Sequence, residues 1–325
     1  MLMTINTKAS FDRRVRFKPD QDNRQEAVER IIWGLNDIVL ERREANELSK
    51  LMVYAEQASF EDPYYELMWC TFWLGVKASS EILHNDHSGW DCFAKALGYS
   101  FFGQLSDQHA RLSENATYSD PMSGGDESLF YWCLAVASCP EKIVRPWAHY
   151  FYNMLSQKGI YNDVGDYDVA ELFWVLLKCY CEKRWINHSD LTKELGDDII
   201  PMLEAIGTPN WEAALMDYCD FRLSRSYEFE SIRAKKATSV SWFFGRQWHA
   251  VFPLELIALK AIYEHQTGEL LNLKVEHPLL QTPLMNPPKF DVLLEDDLLK
   301  RLSAKSAQYY GSNWQPFVLL DLMKR

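Results

Sequence analysis

Val251 to Tyr263, VFPLELIALKAIY, leaves a helix almost no polar side to turn toward water. Phe252, Leu256, Leu259 and Tyr263 form one stripe, and Leu254, Ile257, Ala258 and Ala261 fill the adjacent face. A helix that is apolar all round has to be covered all round, so this stretch is expected at the centre of the fold. Pro253 suits its first turn, where a missing N–H costs nothing, and Gly268 suits the position after its last turn. Glu255 is the exception in that wall. A carboxylate near a helix N-terminus is stabilised by the dipole or by an arginine, here Arg246 as the expected partner. That structural role is preferred to the alternative of a catalytic acid.

The remaining chain repeats the same character. Ring-rich runs recur as YYELMWCTFWLGV (64–76), LFYWCLAVASC (129–139) and VAELFWVLLKCYC (169–181), each with a tryptophan at its heart: Trp69, Trp132 and Trp174. Their spacing is too uneven for a regular repeat of the tetratricopeptide type. Val28, Ile31, Ile32, Leu35, Ile38 and Val39 recur at helical steps within a pattern from about Asp20 to Gln57, with a break near 41–46. Further helices are expected from Pro63, over Trp90–Ala116, Ser128–Cys139, Arg145–Gln157 and Trp211–Leu223, and from Asp291 to Leu302. No sustained period-two run or Asn-Gly or Asp-Gly hairpin turn occurs. The expected fold class is all-α, built of stacked helical hairpins. After a basic leader at 1–20 the chain is expected to form one large helical domain over 21–325, or two packed halves at 21–160 and 161–325.

Composition limits the setting. Hydrophobic residues make up 47% of the 325 and aromatics 14%, which calls for a folded core and leaves little room for extended disorder. No run of 18 apolar residues is present, so no membrane span is expected, and the first residues lack the apolar core of a signal peptide. Seven cysteines, mostly in apolar helical runs, read as reduced thiols of a cytoplasmic protein. The net charge of −12 is concentrated: residues 51–200 hold 10 basic and 22 acidic side chains, while the segments before and after carry +1 and −1. Such a field disfavours nucleic acid and favours a cationic partner; a plain solubility surface is the simpler alternative.

Motifs that carry chemistry are scarce. The sequence lacks G-x-S-x-G, H-E-x-x-H, a P-loop, an EF-hand loop and a dinucleotide fingerprint. His84, His87 and Cys92 lie in or beside a turn without a clear fourth ligand, and Asp197-Asp198 and Asp296-Asp297 read as first-turn helix charges. His249, between Trp248 and the central helix, reads as a packed histidine, and His277 before Pro278 as one capping a carbonyl. No catalytic residue, cofactor or metal is therefore expected. The best candidates for function are acidic residues on two loops that each precede an aromatic helix: Asp120, Asp126 and Glu127, then Asp163, Asp166, Asp168 and Glu171. Stacked hairpins are expected to bring both loops to one end as an anionic face for lysines and arginines of a partner protein.

Three stretches resemble a known family: DPYYELMWCTFWLGVKAS (62–79), DYDVAELFWVLLKCYCE (166–182) and GRQWHAVFPLELIALKAIYE (245–264). Together they look like the helical immunity proteins that bacteria pair with secreted toxins, specifically the partners of PoNe-type DNase toxins of type VI secretion. Gly245, Trp248 and Glu255 are similar to that group's late core helix. The resemblance implies a non-catalytic cytoplasmic protein that occludes the active site or substrate groove of its toxin. An acidic surface suits that role, because a nuclease needs a basic one for phosphates. The implied partner is a cognate toxin with a basic surface, with neither nucleic acid nor membrane as a target, and self-association as a homodimer is left open. Two other readings are an all-α enzyme with a carboxylate-based metal site and a helical scaffold or adaptor.

Overall fold

The computed structural model describes residues 23–40, 44–57, 63–112, 125–156, 169–191, 195, 199–227, 247–291 and 296–311. Within them the chain is all-α, with twelve α-helices and no strand. In chain order these are α1 (Arg24–Leu40), α2 (Glu44–Glu56), α3 (Tyr64–Leu83), α4 (Gly89–Leu112), α5 (Gly125–Ser138) and α6 (Glu141–Ser156). They continue as α7 (Val169–Glu182), α8 (Ile200–Ala205), α9 (Trp211–Tyr227), α10 (Gln247–Val251), α11 (Leu254–Thr267) and α12 (Asp297–Tyr310). Each helix from α3 to α7 packs against the next, the expected stacking of hairpins, and α11 lies against α5 and α7. The leader lies outside the described residues.

Local chemistry sets most of the ends. The turn between α3 and α4 places Asn85 at φ 63°, a left-handed conformation that asparagine tolerates better than most residues. Asp296 caps α12 by accepting from the Leu299 N–H at 2.9 Å. At the far end of α2, Lys305 of α12 donates to the carbonyls of Tyr54 (2.5 Å) and Gln57 (2.6 Å), the cation that a helix C-terminus favours. Gly268 ends α11 at φ 74°, where its N–H reaches the Glu264 carbonyl at 3.0 Å, the predicted glycine stop.

Several boundaries differ from the sequence reading, each for a physical reason. Helix α6 begins at Glu141, four residues before the expected start, so Pro146 lies inside it. The proline removes one N–H from the ladder, yet its ring is buried with Val144, Trp147 and Ala148, and packing prevails over the lost bond. Pro63 stands just before α3, and the helix starts at Tyr64. The central stretch is two helices, not one: α10 ends at Val251 and α11 starts at Leu254, with Pro253 between them at ψ 68°. Between α7 and α9, His188–Asp190 forms a 3₁₀ turn and Ile200–Ala205 the short α8.

The expectation of a buried centre holds. Residues Leu254 to Leu259 are all buried, and the helix first approaches the surface at Lys260, with His265 and Thr267 of its last turn exposed. Around it one hydrophobic cluster extends from Ala27 in α1 to Leu302 in α12 and includes buried residues from both expected halves. The three related tryptophans are not equivalent in space: Trp132 is fully buried, whereas Trp69 and Trp174 are only half-buried. Gly75 of α3 lets α10 approach, because a Cβ there would stand 2.7 Å from the Tyr131 hydroxyl and 2.9 Å from the Trp248 ring.

Candidate functional site

Two polar clusters lie where the helices converge. In the first, Arg222 of α9 reaches across to the junction of α10 and α11. Its Nε donates to Oε1 of Glu255 at 2.6 Å and its Nη2 to Oε2 at 3.3 Å. Nη1 donates to the carbonyl of Ala250, and Nη2 to those of His249 and, at 3.1 Å, Phe252. These are carbonyls that the end of α10 and the break at Pro253 leave without helical partners. Tyr218, one turn before Arg222, donates to Glu255 at 3.2 Å. Burial first, and the Glu255 charge second, push the Tyr218 hydroxyl well above its ordinary pKa, so it stays a donor. Glu255 is thus held structurally, as expected, but by Arg222; Arg246 lies outside the described residues.

The second cluster joins α5 to α10. The Trp248 indole N–H donates to Oε1 of Glu127 at 3.1 Å. His249 stacks on Phe130 with ring centres 3.8 Å apart, and its Nε2 lies 3.0 Å from Oε2 of Glu127. That approach is close enough for charge pairing but is not aligned as a hydrogen bond. Glu127, Arg222 and Glu255 are wholly buried and His249 is 1% exposed. Sealed from solvent, the two clusters fasten helices to one another and present no group to a substrate.

This burial corrects one of the expected partner-binding residues. Glu127 is not on an anionic face, because it shares a helical stripe with Phe130, Tyr131 and Leu134 and is drawn into the core with them. Glu171 is half-buried in the first turn of α7. Asp120, Asp163, Asp166 and Asp168, and the side chain of Asp126, lie outside the described residues, as do Asp197 and Asp198. His84 and His87 are exposed, with His84 Nδ1 turned to the Ser80 carbonyl at 2.7 Å, and Cys92 Sγ lies 3.6 Å from Glu81. Among the described residues no three His, Cys, Asp or Glu side chains are grouped to hold a metal ion. No helix there is long and apolar enough to cross a membrane. His277 caps an N–H, not the expected carbonyl: its Nδ1 accepts from Leu279 at 3.2 Å, which leaves Nε2 to donate to Asp220 at 3.2 Å.

The surface offers a third polar arrangement, on the outer side of the α6–α7 hairpin. Tyr152 and Trp174 stack with ring centres 5.2 Å apart and planes at 21°, and both are half-buried. The Tyr152 hydroxyl donates to Glu182 at 2.8 Å, and Arg184 Nε donates to the same carboxylate at 2.6 Å. Behind them the buried Asp190 carboxylate collects Lys178 at 2.6 Å, both terminal nitrogens of Arg184 at 2.5 and 2.9 Å, and the Asn187 N–H at 2.9 Å. Sequence reasoning missed this network and Arg222 alike. A signal for Arg222 existed in the spacing of Trp211, Leu215, Tyr218 and Arg222, which puts the arginine on an apolar stripe. Compared with protein families, with characterised proteins and with solved structures, the chain matches none.

Proposed function

We propose that this chain is a cytoplasmic immunity protein that captures a cognate antibacterial toxin, a cationic nuclease of the type VI kind, and occludes its active site or substrate groove. The observation that carries the reading is spatial. The three stretches resembling such proteins lie together: α10 packs on α3, α11 packs on α7, and Gly75 receives Trp248. Segments far apart in the chain thereby form one shared core instead of three separate likenesses. The imbalance of 22 acidic to 10 basic side chains over residues 51–200 supports the choice of a cationic partner. Carboxylates on such a surface compete with phosphates for the basic groove a nuclease needs, and steering by opposite charge speeds capture.

The test is co-expression. Each toxin-domain protein encoded beside the gene is induced in a susceptible bacterium with and without this chain, and survival is counted. Protection against one of them, with a complex recovered from the same cells, is the expected result. Failure to protect against any of them overturns the reading.

A further inference from the structure

We infer that the face shared by α6 and the end of α7, carrying Lys142, Arg145, His149 and Lys183, binds a compact phosphate dianion, either free or as the monoester of a small molecule. The site goes beyond the immunity reading and does not depend on it. Lys142, Arg145 and His149 follow one another at three- and four-residue steps on α6, on the side opposite the buried Val144, Trp147, Ala148 and Phe151. The two cations are exposed and the histidine is half-buried. Lys183 follows α7 at φ 52°, and the Arg184 N–H closes the helix on the Cys179 carbonyl at 3.2 Å. Burial first, then the charges of Arg145 and Lys183, hold the His149 imidazole below its ordinary pKa, so both cations stand close to the ring. Arg145 also opposes the burial that pushes the Tyr180 hydroxyl and the Cys181 thiol up, which sets it against the last turn of α7.

Charge selects the occupant. Among the described residues none of these four side chains has an ion pair or hydrogen-bond partner. The carboxylates of Glu182 and Asp190 are taken by Arg184 and Lys178. Glu141 precedes Arg145 by four residues without pairing to it, so three unpaired cations face one carboxylate, an excess of two positive charges. Local stability does not account for them. The dipole at the end of α7 favours Lys183, but the dipole of α6 opposes Lys142 in its first turn. The left-handed backbone at Lys183 suits glycine and costs a lysine energy. A guanidinium grips a phosphate group in two-point fashion, the ammonium groups add charge, and an imidazole N–H adds a donor. Size follows from the field: a net charge of −12 repels a polyanion, whereas a small dianion responds mainly to charges within a screening length of about 8 Å.

Inorganic phosphate and adenosine monophosphate are titrated into the full-length chain at an ionic strength held constant with sodium chloride. Heat and the His149 ring-proton resonance, identified by its absence from His149→Gln, are followed together. Expected is saturable binding that moves His149 and leaves the exposed His87 and His265 in place. Arg145→Gln should weaken it at least fivefold, and Lys300→Gln, the same loss of charge on α12, should stay within twofold. Lys183→Gly should weaken it about threefold while raising the Tm, because glycine adopts the left-handed backbone freely. A loss of binding in a more stable chain does not come from misfolding. Inorganic phosphate binding at least as tightly as the monophosphate assigns the site to the free anion, and the reverse order assigns it to a monoester. The proposal is overturned if both anions behave as chloride does, or if Arg145→Gln and Lys300→Gln have equal effects. It also fails if a single-stranded oligonucleotide binds more tightly than either probe, since that would mark a polyanion surface.

Discussion

Arg222 and Glu255, 33 residues apart in the chain and both sealed from solvent, meet at 2.6 Å and close the break between α10 and α11. The arginine serves two helix ends at once. It satisfies the carbonyls that α10 leaves open and neutralises a carboxylate in the first turn of α11, which the helix dipole already favours.

Removing either partner should be severe, but not equally so. Arg222→Leu takes the guanidinium from a buried carboxylate and leaves the carbonyls of His249 and Ala250 without their arginine donor, while Phe252 keeps the Leu254 N–H at 2.8 Å. It should cost about 3–5 kcal/mol or prevent folding. Glu255→Gln keeps an acceptor for Arg222 and Tyr218 and should cost less. Joining Arg222→Leu to Glu255→Leu should not restore wild-type stability, because the His249 and Ala250 carbonyls still lack the arginine. Urea midpoints of the four proteins give the comparison. A double variant as stable as wild type would show that the carbonyl contacts contribute nothing.

Two glycines in neighbouring helices should respond with opposite signs. Gly75→Ala drives a Cβ into the Tyr131 hydroxyl and the Trp248 ring and should destabilise by about 1–3 kcal/mol. Gly103→Ala places its Cβ 3.5 to 3.7 Å from Leu67, Met68 and Tyr64, which is ordinary contact. Lying inside α4, it should gain roughly 0.5–1 kcal/mol from helix propensity. Thermal melts that move in the same direction for both would refute this account.

What was legible in the sequence follows from where the information lies. The covered nature of 251–263 is written in thirteen consecutive residues, and Gly268 as a stop is written in one. Glu255 was readable as structural because its own helix position explains it. Arg222 was not readable as its partner, because pairing between helices that distant has no period along the chain. Glu127 was misplaced by its neighbours: the loop residues before it are polar, but its three- and four-residue spacing to Phe130 and Tyr131 decided its burial. The stacking of Tyr152 on Trp174 was hidden in the same way, since each ring is legible and their meeting depends on the turn of the hairpin.

Asp190 should shape the acid limb of stability. Arg184 above all, then Lys178 and the Asn187 N–H, hold its carboxyl far below the usual range despite burial. The folded value lies below the unfolded one near 3.8, so its contribution is present above about pH 4 and is lost as the pH falls further. Asp190→Asn should lose about 2 kcal/mol at pH 7, the usual size for hydrogen bonds to a charged group. Its stability should then fall less steeply than wild type between pH 4 and pH 2.5. Parallel urea-midpoint curves for the two proteins over that range would remove Asp190 from the explanation.

The half-buried thiols provide a chemical check on the packing of α5, α7 and the segment after α11. Burial pushes Cys139 up to about 11, with Ser138 and Lys289 opposing only in part, and pushes Cys181 up to about 12. Cys179, fully enclosed, is also pushed up by burial to about 12. The reactive species is the thiolate, and at pH 8 a thiol of pKa 11 is ionised in only about 1 molecule in 1,000. Native protein treated with iodoacetamide at pH 8 should therefore leave all three unmodified for an hour, although Cys139 and Cys181 are not fully enclosed. In guanidinium chloride all three should label promptly. Peptide mass mapping separates the sites, and native labelling of Cys139 as fast as in denaturant would mean that the packing of Phe290 and Lys289 over the end of α5 does not persist in solution.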